Sequence, residues 1–229
     1  MRIQKITECL LPELSHFNNS LLIDIGADLG LLGLNLLSKK LVNNVWNIEL
    51  SKKALESSKE LYTKKELENC SEFIYSNGFI NLSKKINLKT FSSSNLLIIV
   101  LAGLGSTTIL KILENYPKEW VKIKNVLILI LPHTHPLKIF DWFKQNEWKL
   151  RKEKYFRYNK KIYPILLFSK GLNKLESFEI LAENSKSDLY WEYWDNYYEW
   201  RAKFKKNKED KSIKQWMEWY SKVRLNKKI

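Results

Sequence analysis

A chain of 229 residues, 45% hydrophobic and 28% charged, has room for one full α/β domain and a small appendage. No apolar run reaches the roughly 18 residues of a membrane helix, and Met1-Arg2-Ile3-Gln4-Lys5, followed by Glu8 and Glu13, holds no signal-peptide core. The formal charge of +14 points to an anionic partner such as nucleic acid, although 34 Lys against 5 Arg and 20 Asn against 5 Ala also fit an AT-rich coding bias.

Cys9 and Cys70 are the only cysteines, far apart and without metal-ligand spacing, so a reduced cytoplasm without structural disulfides is expected. Residues 3–17 read as an amphipathic helix carrying Ile6, Leu10, Leu11 and Leu14, and Asn18-Asn19-Ser20 breaks the pattern. The run Leu21-Leu22-Ile23-Asp24-Ile25 then enters the glycine-spaced turn Gly26-Ala27-Asp28-Leu29-Gly30, as a parallel strand feeds a nucleotide-binding loop. An acidic turn suits a cationic or neutral nucleoside better than a pyrophosphate, so S-adenosylmethionine is favoured over NAD.

Val45-Trp46-Asn47-Ile48 makes a second strand ending in Glu49, and Ser51 is placed to cap the helix that follows. Phe73-Ile74-Tyr75 is a third strand, ending in Ser76-Asn77-Gly78. Residues 96–101 and 126–131 are continuous apolar runs, the pattern of strands buried on both faces. The first ends in Ala102-Gly103-Leu104-Gly105-Ser106 before a helix to Leu113, and the second in Pro132-His133-Thr134-His135-Pro136 before a helix from Leu137 to Gln145. Two last strands, 148–156 and 162–168, flank the basic turn Asn159-Lys160-Lys161 and read as a hairpin. Five of the seven glycines follow strands, which marks those loops as sites of close backbone approach.

This alternation predicts an α/β fold, a Rossmann-like class I methyltransferase sheet closed by an antiparallel pair. Residues 1–172 form that domain. Residues 173–229, with Trp191, Trp194, Tyr198, Trp200, Trp216, Trp219 and Tyr220 at helical spacing, predict an antiparallel two-helix coiled-coil extension broken at Lys205–Asp210. Its aromatic stripe serves either packing between the helices or base stacking. The extension carries a net +3 and the first 172 residues +11, nine basic against three acidic residues lying within 136–161. An RNA surface is therefore expected on the sheet domain.

In order at the ends of successive strands, these loops make a methyl-donor site. Asp24, Gly26, Gly30, Ala102 and Gly103 approach the methionine and ribose, Glu49 accepts the ribose hydroxyls, and Asn77-Gly78 reads the adenine edge. The loop 102–106 has no Asn-Pro-Pro-Tyr-like residues, so it leaves room for a flat base whose ring nitrogen needs little acid–base help.

Across nearly its whole length the chain resembles the TrmK family, bacterial tRNA adenine-N1 methyltransferases acting at position 22 of the D-arm. The family's Asp-Ile-Gly-Ser-Asp-His loop is similar to residues 24–29, its Ala-Gly-Met-Gly-Gly to 102–106, and its Leu-Ile-Leu-Gln-Pro-Asn to 127–133. Trp142-Phe143, Asn146-Glu147-Trp148 and Lys161-Ile162-Tyr163 also match family patterns, as does the helical extension. Where the family has His, Tyr and Pro, this chain has Leu29, Leu31 and Gly33. Asn77, His133 and Pro164 stand for its Asp, Asn and Glu.

The resemblance implies S-adenosyl-L-methionine as cofactor, tRNA as partner, and formation of N1-methyladenosine. Asp28 is the expected catalytic residue, stabilising the cationic product or orienting the base. Gly105, Pro132, His133 and His135 are candidate substrate contacts. No metal is expected, since His133 and His135 have no third ligand nearby, and no membrane association. The sequence sets no oligomeric state and is compatible with a monomer. The competing readings are a non-catalytic RNA-binding protein that keeps the fold, and a class I methyltransferase with another acceptor.

Overall fold

The computed structural model describes residues 2–82, 85–86, 91, 94–170, 187–203 and 211–226. The chain divides into two compact units, Met1–Ser185 and Lys186–Ile229. The expected boundary at 172/173 lies outside the described residues, as does the break at Lys205–Asp210.

The first unit is built on a seven-stranded sheet of order β3-β2-β1-β4-β5-β7-β6. Its strands are β1 (Asn19–Ile25), β2 (Asn44–Glu49), β3 (Ser71–Tyr75), β4 (Asn95–Leu104), β5 (Val126–Pro132), β6 (Lys149–Tyr158) and β7 (Lys161–Lys170). The first five pair in parallel, and β7 runs antiparallel to both β5 and β6. The α/β expectation with a closing hairpin is met. β5 is buried at every residue, as its uninterrupted apolar run requires in a sheet covered on both faces.

Among the described residues this unit has the α-helices α1 (Arg2–Leu14), α2 (Leu31–Ser38), α3 (Lys52–Thr63), α4 (Ser106–Leu113) and α5 (Leu137–Gln145). Ser51 caps α3 as expected, its hydroxyl accepting the Ala54 N–H at 3.2 Å. Helix α1 ends at Leu14, three residues earlier than its apolar periodicity suggests, where the Phe17 N–H turns back onto the Leu14 carbonyl. The polar segment Asn18–Ser20 is partly strand, because Asn19 and Ser20 already pair with Asn95 and Leu96 of β4. The hairpin turn is a two-residue one, with Asn159 and Lys160 both at positive φ.

Helix α1 is fixed by more than its apolar face of Ile6, Cys9, Leu10 and Leu14. Buried Glu13 receives the Arg151 Nε at 2.5 Å and the Lys152 Nζ at 2.6 Å, both from β6.

The second unit contains α6 (Asp188–Lys203) and α7 (Lys211–Asn226). Trp191 meets Tyr220, Trp194 and Tyr197 meet Trp216, and Asp195 accepts from the Tyr220 hydroxyl at 2.9 Å and from Arg224. Later residues of α6 face earlier ones of α7, so the pair is antiparallel. The stripe's buried members, Trp191, Trp194 and Tyr220, serve packing together with buried Tyr190 and Tyr197. Trp200 remains exposed beside Arg201.

Candidate active site

The strand order reverses between β1 and β4, and the crevice beyond the carboxyl ends of these two strands is where an open α/β sheet binds its ligand. Here β1 delivers Asp24 and then turns sharply. The Gly26 and Ala27 N–H groups both donate to the Ile48 carbonyl, at 2.9 and 3.1 Å, which folds the loop onto β2. Gly26 has φ +75°, a conformation that L side chains rarely adopt.

Asp28 is likewise left-handed, at φ +50°. It is held there by Glu49, whose Oε2 accepts the Asp28 N–H at 3.0 Å while Oε1 accepts those of Leu50 and Ser51 at 2.7 and 3.1 Å. Glu49 thus joins the first loop to the second.

On the other side, β4 runs three residues past the apolar segment that predicts it. Ala102 pairs with Leu131 and Leu104 with Pro132, so Gly103 is an inserted residue that bulges out of the ladder at φ +79°. A side chain there would meet only the rim of the His133 ring, at 3.7–3.9 Å.

Between these loops lies a cavity of about 240 Å³. Asp24, Gly26, Asp28, Ala102 and Gly103, all expected site residues, line it together. One further part of its wall comes from Arg2, Ile3 and Ile6 at the start of α1, which sequence reasoning did not assign to a site. The signal available was slight: Arg2 is one of five arginines and the only one before residue 151.

Asp24 is only 5% exposed. Burial, reinforced by the nearby Glu49 charge, pushes its pKa up to about 7. A buried carboxyl in that state is a receptor for a cation.

Other expected residues have different surroundings. Gly30 faces inward: a Cβ on it would lie 2.4 Å from the Ser58 hydroxyl and 2.8 Å from the Asn47 amide oxygen, and the Tyr62 hydroxyl donates to its carbonyl at 2.7 Å. Its missing side chain serves packing of the loop on β2 and α3. Gly33, which stands where the TrmK family has proline, has the Tyr62 hydroxyl and a Val45 methyl each 2.5 Å from where its Cβ would stand. Tyr62 fills the space that a larger residue 33 would need.

Asn77 is exposed two residues beyond β3, whose Tyr75 pairs with Glu49, so it stands at the same rim but outside the cavity lining. Gly78 packs on α4, its absent Cβ 2.9 Å from Ile112.

Among the candidate substrate contacts, Gly105 precedes α4 in extended conformation, and Pro132 is buried at the end of β5. Next to Gly105, the Ser106 N–H donates to the Thr134 Oγ1 at 2.8 Å and the Ser106 hydroxyl reaches the His135 carbonyl at 2.8 Å, which ties the two loops together. His133 is exposed beside Gly103. Leu29 and Leu31 are exposed at the cavity's lip, an apolar rim where the family resemblance predicts polar rings. No described helix is long and apolar enough to cross a membrane.

Solved structures resemble this architecture across almost the whole chain. TrmK of M. capricolum, in complex with S-adenosyl-homocysteine, covers 99% of this chain with 94% of its own at a TM-score of 0.70 and 21% identity. The B. subtilis m1A22 tRNA methyltransferase TrmK covers 97%, with 94% of its own chain, at 0.69 and 18%. At such identities the likeness speaks for the fold. MG248 of Mycoplasma genitalium, a candidate tRNA methyltransferase, is 31% identical over 158 residues, which are 67% of this chain and 64% of MG248. The chain therefore spans less than two thirds of that relative's length. The family model for a methyltransferase domain matches residues 2–166, and on that match the chain belongs to the methyltransferase-domain family.

Proposed function

We propose that this protein transfers a methyl group from S-adenosyl-L-methionine to N1 of an adenine in tRNA, at position 22 of the D-arm. The observation that carries the donor is the buried acidic residue Asp24, which lines the cavity beside a bulged glycine. S-adenosylmethionine is zwitterionic in its amino acid and carries a sulfonium, so it brings a cation to this carboxyl. Asp24, Gly26, Ala102 and Gly103 would hold the methionine and ribose, and Glu49 the ribose hydroxyls. Asn77, exposed two residues beyond Tyr75 at the end of β3, would meet the adenine. The donor supplies an electrophilic methyl.

The chain's own part is placement. N1 of adenine carries a lone pair in the ring plane, so attack in line with the sulfonium methyl needs positioning more than proton transfer. N1 lies on the pairing edge, and the base must leave its stack to reach the cavity. The small loop at Ala102–Gly103 leaves space for a flat ring. Asp28, fixed by its N–H to Glu49, presents a carboxylate where the methylated ring gains positive charge, which lowers the cost of that charge. Gly105, Pro132, His133 and His135 shape the acceptor side. Residues 1–172 are assigned to this chemistry and 173–229 to a helical extension that packs or binds tRNA, with Trp200 exposed. A tRNA substrate would go with a cytoplasmic location.

The TrmK-like fold and the MG248 match support tRNA as the acceptor. The test is mass spectrometry of tRNA nucleosides after incubation with protein and donor. A gain of N1-methyladenosine, lost in Asp28→Asn with donor binding retained, is expected. A different methylated nucleoside would replace the acceptor, and absence of donor binding would overturn the enzyme reading.

A further inference from the structure

On the acceptor side of the cavity, three distant parts of the chain converge on Arg2. Its Nη1 donates to the His133 Nε2 at 3.1 Å, just beyond β5. Its guanidinium carbon lies 5.4 Å from the ring centroid of Tyr158 and 5.5 Å from that of Tyr163, on the β6–β7 hairpin. His133 and Tyr163 are themselves in ring contact, with centroids 6.0 Å apart.

Partial desolvation and the neighbouring Arg2 and Lys161 charges hold the His133 pKa below its ordinary value, which favours the neutral ring that accepts the Arg2 N–H. Arg2 is half-buried, lines the cavity, and pairs with no carboxylate among the described residues. A guanidinium has five N–H donors, and the contact to His133 uses one. The tyrosine rings restrain it by cation–π attraction, so little side-chain entropy remains to be lost when it binds.

The result is a fixed cation with open donors, set on the β5–β7 side of Gly103 and opposite the β1–β2 side where Asp24 and Glu49 stand. Such a group takes an oxyanion. We propose that Arg2, tethered by His133 and seated on Tyr158 and Tyr163, binds the backbone phosphate of the acceptor nucleotide and so holds the unstacked base at Gly103. The planar fork of arginine suits a phosphodiester, whose two free oxygens accept two parallel N–H bonds. The inference rests on the tRNA reading above. Its location separates it from the donor's own carboxylate, the other oxyanion within reach of the cavity.

The experiment measures tRNA binding by fluorescence anisotropy without donor, and S-adenosylhomocysteine binding by calorimetry, for wild type, Arg2→Gln and Arg2→Lys. Arg2→Gln is expected to weaken tRNA binding about 5- to 20-fold and to lower the slope of log affinity against log salt by about one. Its S-adenosylhomocysteine affinity should stay within about twofold of wild type, as for a group that touches only the RNA. Arg2→Lys should lie between, because an ammonium keeps the charge but not the fork. A loss of S-adenosylhomocysteine affinity with tRNA binding unchanged would move Arg2 to the donor and overturn the proposal, and so would unchanged binding of both. Wild-type protein that binds tRNA but yields no N1-methyladenosine would defeat the methyl-transfer reading while leaving the anisotropy result decisive for Arg2.

Discussion

Asp24 makes the site testable without any turnover. In the free protein its carboxyl titrates near pH 7 because burial, and next the Glu49 charge, disfavour the ionised form. A ligand ammonium placed beside it would restore the carboxylate and expel the proton. At pH 6.5 a group of pKa about 7 is about three-quarters protonated, so binding should release about 0.8 proton, falling to about 0.1 at pH 8. Apparent affinity should correspondingly rise about fivefold between pH 6 and pH 7. The assay is calorimetry of S-adenosylhomocysteine in buffers of low and high ionisation enthalpy, with Asp24→Asn as the reference that subtracts the ligand's own amine. Zero net release at pH 6.5, or equal release in Asp24→Asn, would refute the assignment of Asp24 as the cation receptor. The same shift has a sign for stability. The folded state holds a proton that the unfolded chain, with an ordinary value of 3.8, has already lost. The free protein therefore loses stability as pH rises from about 4 to about 7, by up to about 1.4 kcal/mol per unit, and Asp24→Asn should flatten that part of the profile.

Other consequences concern the scaffold. Gly33→Ala should destabilise by about 1–3 kcal/mol in thermal melts, since its Cβ would collide with Tyr62 and Val45. Tyr62→Phe alone should cost about 1 kcal/mol, and the double variant should lose less than the sum, because the hydroxyl causes part of the collision. Gly78→Ala combines a positive φ with an Ile112 clash and should cost about 1–3 kcal/mol, read by urea unfolding. Glu13→Gln should cost about 2–3 kcal/mol by leaving Arg151 and Lys152 facing a buried neutral group, and should weaken donor binding by loosening the α1 wall.

The sequence alone determined the order of elements and the chemistry of the first loop. Runs such as 96–101 and 126–131 have only one way to bury every side chain, and turn residues between them set where each strand stops. Ser51 and the glycine at 26 were legible because their roles are local: a cap and a sharp turn.

What only the tertiary structure decided was which residues meet across the sheet. Gly30 and Gly78 resemble cofactor glycines in sequence, yet their open sides face Ser58, Asn47 and Ile112, an orientation set by helices docked from elsewhere in the chain. Arg2 stands 131 residues from His133, and no spacing pattern predicts that contact. The raised pKa of Asp24 belongs to the same class, since the residue type supplies a carboxyl while the surrounding packing removes its water. Local chemistry is written in the order of the residues, whereas desolvation and convergence are properties of the assembled core.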